Sequence, residues 1–158
     1  AEREPALSVR LRRGDEPTVR GLSLIDKILV LSLRHRLPRE VVLAATPESI
    51  FIRADEEGWI GKEGVVRTEL GTIRVRDATA TAAVLSRGKE TPLSFAFHKE
   101  AGSWKLDLTS VMSMVEAPLK RMLEGIATTE DEAVVILLES ASGTKVTEQV
   151  WKPLQTAP

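Results

Sequence analysis

The chain has 158 residues, 22 Lys and Arg against 23 Asp and Glu, and a formal net charge of −1. That length can bury one self-sufficient core, and the even charge balance gives no reason to expect nucleic acid or an acidic membrane as partner. Cys, Tyr and Asn are absent and only His35 and His98 supply imidazoles, which excludes thiol nucleophiles, disulfides, thiolate metal sites, a three-His zinc centre and an N-glycosylation sequon.

Residues 1–16 are Arg-rich, and Leu7, Val9 and Leu11 alternate with Ser8, Arg10 and Arg12. The alternation predicts a short edge strand or extended arm, ended by Gly14-Asp15-Glu16-Pro17, with the arginines keeping the edge solvated. Thr18 is read as the N-cap of a helix running to about Leu37, where Pro38 follows. Leu22, Ile25, Leu29 and Leu33 form one stripe of that helix, and Leu24, Ile28 and Leu31 a second, so it is expected to be sandwiched. Arg34, His35 and Arg36 fall in its last turn, where positive charge suits the helix dipole. No apolar run reaches membrane-spanning length, because Asp26 and Lys27 break the stretch from Leu22 to Leu33. No signal peptide is visible, and a start at Ala1 implies processing or methionine trimming.

Pro38 is expected to open a second short helix to about Ala45. Thr46-Pro47-Glu48 supplies the cap, the first-position proline and the first-turn acid of a third helix, ending at Gly58. From about Arg67 the period changes to two. Ile73 and Val75 alternate with Thr72, Arg74 and Arg76, and Ala78, Ala80, Ala82 and Val84 continue the same face after a turn at Arg76–Asp77. A turn at Ser86–Glu90 leads to the hairpin TPLSFAFHKEAGSWKLDLTSVM, Thr91 to Met112. Parity fixes its register: Phe97 shares a face with Leu106 only if Lys99 opposes Trp104, and the same reasoning sets Phe95 against Ala82 and Phe97 against Ala80. Two helices follow, about Ser110 to Ile126, and one opened by the capping box Thr129-Glu130-Asp131-Glu132 and stopped near Gly143. A last turn covers Thr147–Trp151. The fold class is therefore α+β: N-terminal helices packed on a curved four-stranded antiparallel sheet, with extra C-terminal helices. Residues 1–158 are read as a single domain, with an arm over 1–16, a core over 17–112 and a helical extension over 113–158.

Helices followed by a meander whose hairpin reads FAFHKEAGSWKLDL resemble the nuclear transport factor 2-like superfamily, over about Thr18 to Met112. The resemblance implies a cystatin-like cone and common homodimerisation through the sheet, among bacterial members that include both enzymes and chemically inert binding or assembly modules. The ketosteroid isomerase-like and scytalone dehydratase-like sites of that group use Tyr, which this chain lacks.

The candidate ligand pocket is lined by Asp26, Trp59, Ala80, Ala82, Phe95, Phe97 and Trp104, where small residues facing aromatics leave room for an apolar ligand between sheet and helices. Asp26 is the one candidate acid–base, since helical geometry sets it beside Leu22, Leu29 and Leu33, and burial without a partner would raise its pKa; a rim position paired with an Arg or with solvent is the plainer expectation. Arg74, Arg76, His98 and Asp107 share the other face of the sheet and are candidate interface residues, with His98 opposite Lys105 and Asp107 as its diagonal neighbour. Asp55-Glu56-Glu57 and Glu130-Asp131-Glu132 lack metal-loop spacing, so neither a metal nor a cofactor is expected. The expected function is a non-enzymatic binding or interaction module with a small apolar ligand or a protein as partner. A cyclase, isomerase or hydrolase using Asp26 is one alternative, and a structural accessory domain of a larger assembly is another. The compartment, periplasm or cytoplasm, stays open.

Overall fold

The computed structural model describes residues 6–57 and 69–155. The protein is α+β: a four-stranded antiparallel open sheet with helices both before and after it. The helices are α1 (Ala6–Arg13), α2 (Glu16–Arg20), α3 (Leu24–Arg36), α4 (Arg39–Ala44) and α5 (Pro47–Glu56), then α6 (Leu108–Glu124) and α7 (Glu130–Ser142), with a 3-10 turn at Glu148–Trp151. The strands are β1 (Glu69–Arg76), β2 (Thr79–Ser86), β3 (Lys89–Glu100) and β4 (Ser103–Leu106). The chain forms two compact units, one from 1–53 and 119–158 and one from 54–118.

In the helical unit α3 is the central element, packed against α1, α2, α4, α7 and the 3-10 turn. Val30 and Leu31 are wholly buried, as are Val19 of α2, Val42 of α4 and Val134 of α7. Apolar residues around most of the α3 circumference thus meet neighbours on several sides, as the double stripe anticipates.

Two elements differ from expectation. Residues 6–13 form helix, not an edge strand. Val9 is exposed and Leu11 is buried; five residues of alternation are too few to tell period two from period 3.6. Arg10, Arg12 and Arg13 occupy the last turn of α1, where they suit the dipole. The single helix expected from Thr18 is broken in two. Asp15, not Thr18, caps α2 by accepting the Thr18 N–H at 3.1 Å, and Ser23 caps α3 by accepting the Asp26 N–H at 3.3 Å. Gly21 closes α2 between them, and a second capping serine so soon after a glycine restarts the helix.

The capping box opens α7 as read: the Glu132 N–H donates to Thr129 Oγ1 at 3.2 Å and the Thr129 N–H to Glu132 Oε2 at 3.3 Å. Gly143 ends it with φ of 70°, its N–H donating to the Glu139 carbonyl at 2.8 Å, the left-handed cap that favours glycine. The expected stop of α5 at Gly58, and Trp59, lie outside the described residues.

The sheet is a meander in the order β1-β2-β3-β4. Phe97 pairs with Leu106, Lys99 with Trp104, Phe95 with Ala82 and Phe97 with Ala80, all as parity requires. Arg87–Gly88 and Ala101–Gly102 both take positive φ, the two-residue turn whose twist matches that of the flanking strands. β1 carries an irregularity between Leu70 and Ile73, where the Thr72 N–H donates to Glu90 Oε1 at 2.7 Å. That bond holds the Glu90 carboxyl below its ordinary range.

Candidate functional site

The register sorts the sheet into two unlike faces. On one face Val75, Ala80, Phe97 and Leu106 form a row across all four strands, with Ile73, Ala82 and Phe95 in the next row and Trp104 beyond. Ala80 and Ala82 are buried, and Phe95 and Phe97 are half-buried. The outer strands are open: Ile73 is 61% exposed, Val75 63%, Trp104 42% and Leu106 39%. The ammonium of Lys99 lies over the Trp104 ring, 5.7 Å from its centroid. Exposed large apolar side chains are thus gathered on one face of the sheet and not scattered singly.

The other face is polar. Arg76, Thr79, His98 and Lys105 form a row across the four strands, and Arg74 pairs with Thr81 beside it. Arg74, Arg76 and His98 are all exposed, and Lys105 is paired with Glu100 at 3.1 Å. Asp107 stands at the start of α6, where its Oδ1 accepts the Thr109 N–H at 2.9 Å and its carbonyl accepts from the Ser110 hydroxyl at 2.7 Å. Its carboxylate is used by a helix start.

Asp26 belongs to the helical unit, in the first turn of α3. Its side chain is about a third exposed and lies 3.9 Å from the Arg10 guanidinium, which is the rim geometry with an arginine partner. Among the candidate pocket residues the sheet register brings Ala80, Ala82, Phe95, Phe97 and Trp104 onto one face.

The strongest electrostatic features fall on residues that sequence reasoning passed over. Lys27 is 3% exposed, and its ammonium donates to Glu130 Oε1 and Asp131 Oδ1, both at 2.7 Å. Burial works against the ammonium, but the hydrogen bonds to Asp131 and Glu130 outweigh it and raise the Lys27 pKa. Burial likewise works against the Asp131 carboxylate, and the bonds from Lys27 and Arg20 overcome it and lower the pKa. Arg20 extends the network: it donates to Asp131 and Glu16 and stacks over Trp151 at 4.3 Å.

Arg34 is buried with no carboxylate partner among the described residues. All five of its N–H groups donate to carbonyls: Nε to Leu11 at 2.9 Å, Nη1 to Val150 and Lys152, Nη2 to Arg10 and Gly14. Burial pushes its pKa down to about 10, so it remains a cation at neutral pH. The carbonyl ends of α1 and of the 3-10 turn converge on it, which supplies partial negative charge in place of a carboxylate. The signal for both cations is their spacing. Lys27 and Arg34 are seven apart, about 20° on a helical wheel, so they share one line of a helix that is apolar almost all round.

Among the described residues no group of three His, Asp or Glu is placed to hold a metal, and no helix is long and apolar enough to cross a membrane. The chain matches no protein-family model, no curated protein and no solved structure.

Proposed function

We propose that this protein is a non-enzymatic interaction module of nuclear transport factor 2-like type, and that the partner of its apolar sheet face is a second copy of the chain. The observation that carries the reading is the exposure of Ile73, Val75, Trp104 and Leu106 on one face of the sheet. A two-fold pairing of sheets would cover the open apolar side chains of β1 and β4 in both copies. Four strands at about 4.8 Å spacing and eight residues at about 3.3 Å give a footprint on the order of 500 Å² per copy. That is the low end for a specific interface, so association is reversible. A net charge of −1 offers little repulsion against it.

Sedimentation of the protein over a range of concentrations tests the reading. A reversible monomer–dimer equilibrium that Val75→Glu abolishes is the expected result. A monomer at every concentration, or a dimer indifferent to Val75→Glu, overturns it.

A further inference from the structure

A second feature lies entirely within the helical unit. The C-terminal turn of α3, the first turn of α4 and the segment from Lys145 to Leu154 enclose an open cleft of ≈ 540 Å³, a size that suits a small organic molecule. Arg34, Arg39, Lys145 and Lys152 line it, and no carboxylate does. In a chain whose acids and bases are evenly matched, this segregation focuses positive potential in a concave place.

The four cations are not equivalent. The donors of Arg34 are all taken by backbone carbonyls, so it contributes charge from behind the wall and no hydrogen bond. Lys145 lies 3.4 Å from the Glu139 carboxylate, which offsets its charge. Among the described residues Arg39 commits only its Nε, to the Leu154 carbonyl at 2.9 Å, which leaves both Nη groups as donors without a protein acceptor. Lys152 has no carboxylate partner among the described residues. Two uncompensated cations on the wall, one of them a guanidinium fork, match a dianion better than a monoanion. The floor is different in kind: Pro153 and Leu154, both half-buried, offer apolar surface to whatever the head group carries.

His35 is fixed at the rim, its Nε2 within 2.9 Å of Ser142 Oγ and 3.0 Å of Thr144 Oγ1. Those two hydroxyls also bond each other at 3.1 Å. The arrangement links the end of α7 to the end of α3 beside the cleft.

We propose that this cleft binds a small organic phosphate monoester, with Arg39 and Lys152 holding the dianionic head and Pro153 and Leu154 receiving its apolar body. The site needs nothing from the sheet, so it stands or falls independently of the self-association described above.

Phenyl phosphate is the probe, with inorganic phosphate as the head alone and benzoate as a monoanion with the same body. Calorimetry and amide shifts of Thr147, Gln149 and Lys152 are the readouts. Phenyl phosphate is expected to bind more tightly than either control and to weaken with added salt. Arg39→Gln and Lys152→Gln are each expected to weaken it about tenfold, the loss of one charge-assisted hydrogen bond. Arg39→Lys is expected to recover part of the loss, and Lys89→Gln, on β3, to change nothing. Both cleft residues are exposed, and a thermal melt of each variant confirms that it is folded. Equal affinity of the wild type and the Arg39→Gln/Lys152→Gln double variant overturns the proposal. So does benzoate binding as tightly as phenyl phosphate, or shifts confined to residues outside the cleft.

Discussion

The Lys27 ammonium meets the Asp131 carboxylate at 2.7 Å across 104 positions of sequence, and the two ends of the helical unit are joined through that contact. Asp131 stands in the first turn of α7, where a carboxylate also complements the helix dipole. Lys27 comes from the N-terminal turn of α3 and is 3% exposed, with Glu130 as its other carboxylate. The two partners are therefore unequal. Asp131 keeps Arg20 and some access to water if Lys27 is lost, whereas Lys27 without Asp131 keeps only Glu130.

That inequality predicts the order of two substitutions. Asp131→Asn leaves a buried ammonium with half of its compensation and should cost about 2–3 kcal/mol. Lys27→Met replaces the buried cation by a flexible apolar chain and should cost about 1–2 kcal/mol, since a buried charge deprived of its partner is worse than no charge. Urea denaturation of both variants decides the order. A smaller cost for Asp131→Asn than for Lys27→Met would show that Glu130 alone suffices.

The same pair predicts a pH profile with two arms. Asp131 titrates below its ordinary 3.8 in the folded protein, so its contribution is present above that pH and is lost as the pH falls through the lowered value. Lys27 titrates above its ordinary 10.5, so its contribution is complete below that pH and is lost as the pH rises through the raised value. Stability from this contact should be level across the neutral range and fall at both extremes. In Lys27→Met both arms should flatten relative to wild type, which denaturation midpoints across the pH range would show.

Arg34 makes a prediction of another kind, because what it compensates is backbone. Arg34→Met removes five donors from a place where the carbonyls of Leu11, Gly14 and Val150 are buried. The expected cost is at least about 3 kcal/mol, the range for uncompensated buried polar groups. Arg34→Lys keeps the charge but has three donors for five acceptors, so it should fall between wild type and Arg34→Met in thermal melts. If the two variants melt together, the guanidinium fork contributes nothing beyond volume. Gly14 belongs to the same joint: a Cβ there would stand 2.5 Å from the Arg10 carbonyl, so Gly14→Ala should also be destabilising.

The parts of the fold that were legible in the sequence are those governed by local rules. Strand parity placed Phe97 against Leu106 and Ala82 against Phe95, and the capping box at Thr129 with the glycine at 143 bounded α7 to within a residue. Leu7, Val9 and Leu11 misled because three alternating positions satisfy a strand and do not exclude a helix. The helix after Pro17 looked continuous because apolar spacing runs through Gly21 and Ser23, and only cap chemistry reveals the break. The charged sites were hidden for a physical reason. Lys and Arg are residue types that are seldom buried, and the burial of Lys27 and Arg34 depends on Asp131, Glu130 and the carbonyls near Val150, more than 100 positions away. Only their heptad spacing hinted at a shared environment. Asp26, in contrast, was read as a rim residue with an arginine partner, and a short local argument was enough.

The sheet face gives the last prediction, which separates exposure from burial strand by strand. Ile73 and Val75 lie on β1 with most of their surface open, so Ile73→Thr and Val75→Thr remove little buried area. Each should cost under about 1 kcal/mol in the monomer, in proportion to the apolar surface still covered. Ala82, on the neighbouring strand and the same face, is 1% exposed. A larger side chain there has no room, so Ala82→Leu should cost about 1–3 kcal/mol through overpacking. Denaturation at a dilution low enough to dissociate any dimer measures both effects, and sedimentation of the same threonine variants measures the other consequence. If the apolar face pairs two copies, Val75→Thr should weaken the dimer while leaving the monomer nearly as stable as wild type. A monomer destabilised by Val75→Thr as much as by Ala82→Leu would mean that β1 is covered in solution, and that its apolar side chains serve the core of the protein itself.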